Sequence, residues 1–192
     1  MFRTPSGKFE LRSTLLRQEV EGPNPEHGIE DSLAKLRIGA PPGDAFLPHH
    51  ETPRVAGGAR EYPFLLVVFP LLALGDGRDA NSPWLQEIPG SHGKVRWTTW
   101  IEIHPEAAEA LGVAEHDEVR IESPAGAEKA RVRIVPGAFP EVVAMPLGRG
   151  HRGLGRYARG RGANPQRLLV AERDPLSGIV PRAATRVRIV RS

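Results

Sequence analysis

Apolar residues along this chain cluster in short runs of strand length, separated by proline and glycine turns. PFLLVVFP (63–70) is a continuous apolar run with β-branched and aromatic residues, which predicts a strand buried on both faces. Further strands are predicted at 100–103 (WIEI), 118–123 (EVRIES), 127–135 (AEKARVRIV), 141–145 (EVVAM) and 185–190 (TRVRIV). Alternation is clearest in Arg131, Val132, Arg133, Ile134 and in Arg186, Val187, Arg188, Ile189, where arginines would face water and β-branched residues a core. One helix stands out: His104 at its start, Pro105 in the first turn, EAAEAL, and Gly112 at its end. At barely two turns it reads as a connector in a mainly β fold. No repeat of fixed period is visible, and short strands with Pro/Gly turns predict a compact barrel.

Residues 1–60 read as an extended N-terminal arm, with the barrel over 61–192. The arm contains PNPEHG (23–28), APPGD (40–44) and RVAGGARE (54–61), which are turn and linker chemistry, and one short helix near Ile29 to Arg37. Ordering so long a segment alone is costly, which favours docking on a partner. The N-terminal MFRTPSGKFELRS has no apolar stretch of signal-peptide length. The longest apolar run, Phe64 to Leu74, is broken by Pro70 and is far too short to span a bilayer, so a soluble chain with no direct membrane insertion is expected.

Composition narrows the chemistry. With 192 residues, 40% of them apolar, the chain can bury one ordinary core. It has no cysteine, hence no disulfide and no thiolate to hold zinc or an iron–sulfur cluster. Any redox centre must come from elsewhere. The net charge is only +3, yet its placement is uneven: the thirty residues from Val142 to Ala171 hold six arginines, one histidine and no acid. That favours a local anion site over general adhesion to polyanions.

Several constellations read as bland. No G-x-S-x-G occurs, and His49 and His50 form a tandem without further ligands at metal-site spacing. Asp117 and Glu118 straddle a strand start, where successive side chains diverge, and Glu106 and Glu109 lie on the exposed face of the short helix. The run GHRGLGRYARGRGANP (150–165) is different. It has three readings: an RNA-binding tail, a surface loop, or a pocket lining in which glycines allow close backbone approach and arginines pair with phosphate oxygens. The pocket lining makes most physical sense. A second distinctive stretch is GDGRDANSPWLQEIPG (75–90): either a long loop pinned by a buried Trp84, or one whose Asn81 and Gln86 amides meet a heterocycle edge.

Seven segments occur together in an order that carries a family likeness: TPSGKFEL (4–11), FLPHHETP (46–53), EYPFLLVV (61–68), NSPWLQEIP (81–89), WIEIHPEAAEALGV (100–113), RIESPAGAEKARVRIV (120–135) and GRGANPQRLL (160–169). In these the chain resembles the C-terminal domain of molybdopterin oxidoreductases, the dimethyl sulfoxide reductase superfamily. The resemblance implies a double-psi β-barrel with short connecting helices, covering one molybdopterin guanine dinucleotide of a molybdenum or tungsten cofactor. It further implies that Asn81, Trp84 and Gln86 belong to one cofactor-facing loop, and His151, Gly155, Arg156 and Asn164 to a second. The metal ligand and cluster cysteines of that superfamily lie in earlier domains, so the expected partner is an iron–sulfur or catalytic oxidoreductase portion. No catalytic residue, metal site or iron–sulfur cluster is expected in this chain, and no nucleic-acid partner.

Two positions depart from the family pattern. Val68, Phe69 and Pro70 stand where relatives have a threonine-glycine-arginine turn followed by a histidine, whereas here the first histidine after that turn is His92, and His116 replaces the glycine of the turn before strand 118–123. The wording of GDGRDANSPWLQEIP is similar to the large iron–sulfur subunit of alternative complex III, a quinol-oxidising membrane assembly. That likeness implies the alternative of a cofactor-free structural part of a respiratory electron-transfer complex. A nucleic-acid-binding barrel is the second alternative.

Overall fold

The computed structural model describes residues 2–22, 28–52, 54–88, 95–175 and 177–192. Most of the PNPEHG turn and His92 lie outside these. The chain divides into two units, Met1–Pro53 with Arg173–Val180, and Arg54–Glu172 with Pro181–Ser192.

In the first unit two helices form, α1 (Thr14–Glu21) and α2 (Ile29–Lys35). The second falls where the sequence predicts one. The first was not foreseen, although Ser13 caps it by accepting the Leu16 N–H at 3.2 Å. Val20 of α1 and Leu33 of α2 are buried with Ala45 and Phe46, so this segment carries a small apolar cluster of its own.

The second unit is the predicted barrel. All six predicted strands form: β1 (Phe64–Phe69), β2 (Trp100–Ile103), β3 (Glu118–Ser123), β4 (Gly126–Ile134), β5 (Val142–Pro146) and β6 (Thr185–Arg191). They close in the order β1-β5-β2-β4-β3-β6. Inside, Leu66, Ile101, Ile103, Val119, Ile121, Val132, Val143, Met145 and Val187 are buried, each from the inward face of its strand. Along β1 only Leu66 and Val68 are buried, and the other four residues are half-buried. The expectation of two buried faces is therefore corrected, because a strand of a closed barrel has one face inside and one outside.

Two further helices connect the strands. The helix α4 (Pro105–Leu111) matches its prediction, with the His104 side chain accepting the Glu106 N–H and Gly112 closing the end in the left-handed conformation. The helix α3 (Pro83–Glu87) replaces the long loop expected over 75–90. His116 adopts φ 73, the left-handed geometry that favours glycine.

Topology sets where the site can be. Strands β1 and β5 are adjacent and parallel, with Leu65 opposite Val142 and Phe69 opposite Pro146. The segments that follow them, 70–88 and 147–164, therefore leave the barrel at the same end. Those two segments contain all seven residues that the family likeness assigns to the cofactor.

Candidate functional site

The segment after β5 is buried continuously from Met145 to Gly150 and then emerges as the arginine-glycine loop. Backbone bonds fold it onto itself: Gly150 N–H donates to Arg161 O at 2.7 Å and Gly160 N–H to His151 O at 3.0 Å. Arg167, from the 3₁₀ turn Pro165–Arg167, ties it to the barrel by bonding Gly150 O at 2.9 Å and Glu128 of β4 at 2.9 Å. Thr99 fixes the far end: its hydroxyl donates to Ala163 O at 3.1 Å and accepts the Ala163 N–H at 2.9 Å.

The two segments meet at several places, Leu74 packing on Gly148 among them. Asn81 Oδ1 accepts the Tyr157 N–H at 3.0 Å, and the Asn81 amide is packed so tightly on Gly155 that a side chain there would overlap it. A Cβ built on Gly77 would lie 2.8 Å from His151 Nε2. A further contact is interior: Arg149 Nε donates to Gln86 Oε1 at 2.8 Å.

The expected site residues therefore separate. Asn81, Gly155 and Arg156 lie together, with the Arg156 guanidinium over the Tyr157 ring and bonded to its hydroxyl. His151 sits against Gly77, and its Nε2 is buried without a hydrogen-bond partner. Asn164 spends its Oδ1 on the Gln166 N–H at 3.1 Å, capping the 3₁₀ turn, and its backbone packs on Gly150.

Gln86 and Trp84 exchange the roles expected of them. The Gln86 amide is wholly buried, donating to Ala80 O at 2.8 Å and accepting from Arg149. Trp84, proposed as the buried pin of a loop, is 81% exposed. On a helix of five residues only one face can turn inward, and Gln86 takes it.

Arg149 was not singled out from the sequence, where it is one arginine among six. It is 4% exposed, and it also donates from Nη1 to Thr98 O at 2.7 Å and lies over the Trp100 ring. Among the described residues no carboxylate pairs with it. Burial pulls its ionisation down to about 10, which leaves it charged at neutral pH. Asp76, in the other segment, is neutralised locally: the side chain of Arg78 bonds both its oxygens and lowers its carboxyl to about 2. Arg152 and Arg159 are exposed and make no ion pair among the described residues.

These features fit an anionic ligand bearing a heterocycle. A buried imidazole nitrogen lacks a partner, the adjoining loop carries cations with no acids to match, and glycines at 77, 148 and 155 bring backbone close. No cluster of three or more metal-ligating side chains occurs among the described residues.

Similarity to known proteins agrees with the fold. Residues 86–186 match the family described as the molydopterin dinucleotide binding domain. The molybdopterin-containing subunit ArrA of the arsenate respiratory reductase of Shewanella sp. (strain ANA-3) is 32% identical over 186 residues, covering 92% of this chain and 22% of that protein. The molybdopterin-binding-like subunit of menaquinone reductase from Nitratidesulfovibrio vulgaris is 31% identical over 136 residues, 68% of this chain and 19% of that protein. The acetylene hydratase of Pelobacter acetylenicus shares the fold, with a TM-score of 0.64 at 17% identity over 98% of this chain and 24% of that one. The chain thus spans under a quarter of the length of the proteins it matches. With a closed six-stranded barrel, the matching segment and these relatives, the chain belongs to the dinucleotide-binding, C-terminal domain family of the molybdopterin oxidoreductases.

Proposed function

We propose that the barrel end formed by residues 70–88 and 147–164 binds the guanine dinucleotide part of a molybdopterin cofactor, as one domain of an oxidoreductase assembly. The observation that carries this is the unpartnered, buried Nε2 of His151, set beside a loop rich in arginine and free of acids. Arg152, Arg156 and Arg159 would hold the pyrophosphate, Asn81 Nδ2 and His151 Nε2 would hydrogen-bond its polar edges, and Gly77 and Gly155 would let backbone approach. When bound, the cofactor supplies the redox metal, for which no cluster of three or more ligating side chains occurs among the described residues. Residues 61–192 are the binding domain in this reading and residues 1–60 the arm toward an iron–sulfur or catalytic portion. The exposed Phe9, Leu11 and Leu15 of that arm support docking.

The test is thermal unfolding with guanosine diphosphate and with inorganic pyrophosphate. A ligand present at 100 times its dissociation constant stabilises by about 2.7 kcal/mol, which for a chain this long is a rise in melting temperature of about 5 °C or more. His151→Ala together with Arg152→Ala and Arg159→Ala should abolish the rise. No shift in the unmodified protein at millimolar ligand would refute the reading.

A second reading has its own support. A relative of 31% identity is named a molybdopterin-binding-like subunit of menaquinone reductase, and β1 ends at Phe69 with Pro70 next in sequence, where the family resemblance implies a threonine-glycine-arginine turn. In this reading the barrel is a cofactor-free scaffold in a respiratory complex, and the arginines pair with carboxylates of a partner. Arg156→Ala with Arg159→Ala would then weaken assembly with no nucleotide effect.

A further inference from the structure

The buried Arg149 closes a ring of contacts that returns to its own segment two residues later. Arg149 Nε donates to Gln86 Oε1 at 2.8 Å, and Gln86 Nε2 donates to Ala80 O at 2.8 Å. Ala80 N–H donates to Gly77 O at 3.1 Å. Gly77, at φ 108, packs against His151 so closely that a Cβ would lie 2.8 Å from Nε2. The ring thus runs Arg149, Gln86, Ala80, Gly77, His151. Every member but His151 is buried as a residue, and in His151 the Nε2 atom is buried.

The chemistry of the ring explains why its members are polar. An apolar pair at 86 and 149 could fill the same space but could not fix the direction of the Ala80 carbonyl. The guanidinium is planar and its donors are fixed in a fork, so bonding Thr98 O through Nη1 fixes the plane from which Nε bonds Gln86 of the other segment. Gln86 is suited to the middle position because one amide both accepts and donates. Trp100, whose ring lies 6.0 Å from the guanidinium carbon, adds a further support.

We infer that Arg149 is the positioning residue of this barrel end: acting through Gln86, it holds residues 77–81 at the separation that packs Gly77 against His151 and so sets the surroundings of the buried, unpartnered Nε2. This rests on the proposed function for the ligand's identity, but not for the geometry itself. Arg149 does not touch the ligand in this scheme. Losing a buried hydrogen bond to a charged group is worth on the order of a ten-fold change in an equilibrium that depends on it.

The test uses Arg149→Met, Arg149→Lys, Gln86→Met and the double variant Arg149→Met/Gln86→Met, with Ile121→Val as a control that loosens the core away from the ring. Two quantities are read at 25 °C, where circular dichroism shows each variant folded: the His151 imidazole NMR resonances, and the affinity for guanosine diphosphate. The inference expects both single methionine variants to shift the His151 resonances in the same way and to weaken binding about ten-fold. The double variant should be no worse than either single one, Arg149→Lys should not restore the native resonances, and Ile121→Val should leave them in place. Unchanged His151 resonances in folded Arg149→Met and Gln86→Met would overturn the inference, as would additive effects in the double variant. Should Arg149→Met not fold, Gln86→Met and Arg149→Lys decide by the same criteria. If the unmodified protein binds no nucleotide, the proposed function fails while the positioning role still stands or falls on the His151 resonances.

Discussion

Asn81 and Gly155 lie 74 positions apart in sequence, yet they pack so tightly that no side chain fits between the Asn81 amide and the Gly155 backbone. The same amide accepts the Tyr157 N–H, so one side chain pins the start of the arginine-glycine loop to the segment after β1. Gly155 also has φ 90, a conformation that L residues rarely adopt.

Replacing Gly155 by alanine therefore meets both a steric and a torsional obstacle. A loss of about 1–3 kcal/mol is expected, read as a lower melting temperature. Trimming the opposing side chain in Gly155→Ala/Asn81→Gly should recover the steric part only. A Gly155→Ala variant as stable as the parent would show that the two segments do not hold this contact in solution.

His116 offers a change in the opposite direction. It holds φ 73 with an exposed side chain, and its backbone N–H donates to Val132 O at 2.8 Å, a bond that glycine would keep. The Glu115 carboxylate 3.8 Å away is exposed and contributes little. His116→Gly should be neutral to stabilising by up to about 1 kcal/mol, since relief of left-handed strain outweighs the added freedom of the unfolded chain. Calorimetric melting checks the sign.

A pH effect is expected in the first unit. His49 Nδ1 lies 2.7 Å from Leu47 O and Nε2 lies 2.8 Å from Glu51 Oε1, so both ring nitrogens face acceptors and only the imidazolium satisfies both. The Leu47 carbonyl first and the Glu51 carboxylate second raise its ionisation above the usual 6.5. A raised histidine stabilises fully below the unfolded value and loses that contribution as pH rises through the folded one. An NMR titration of His49 should show a midpoint above 6.5, returning toward it in Glu51→Gln; an unchanged midpoint would remove the link.

Trp84 distinguishes a functional surface from a structural one. With 81% of its surface exposed, Trp84→Ala should change stability by no more than about 0.5 kcal/mol. If this end of the barrel meets a ligand or a partner, the same variant should weaken that binding measurably in calorimetry or pull-down. A large loss of stability would mean that the side chain is covered in the isolated chain.

Core replacement sets the scale for these effects. Ile101 is wholly buried on β2, within the closed barrel, and Ile101→Ala should cost about 2–5 kcal/mol in chemical unfolding.

What the sequence determined by itself is local. The β-branched runs, the alternation at Arg131 to Ile134, and the proline and glycine bracketing α4 are written in neighbouring residues, so the six strands and that connector are legible without any long-range contact. The helix α3 was not, because NSPWLQEIPG carries turn signals and too few residues for a helical period to appear. The family likeness named the two segments of the candidate site, but not which of their side chains turn outward. The fate of Gln86 and Trp84, two positions apart on one short helix, depends on where Arg149 arrives on the segment that follows the neighbouring strand β5. Only the pairing of β1 with β5, strands separated by more than seventy residues, brings that arginine there. Periodicity records which face of an element is apolar. It holds no record of a hydrogen bond between polar residues brought together by strand order, and this is why Arg149 and the unpartnered nitrogen of His151 became visible only in the tertiary structure.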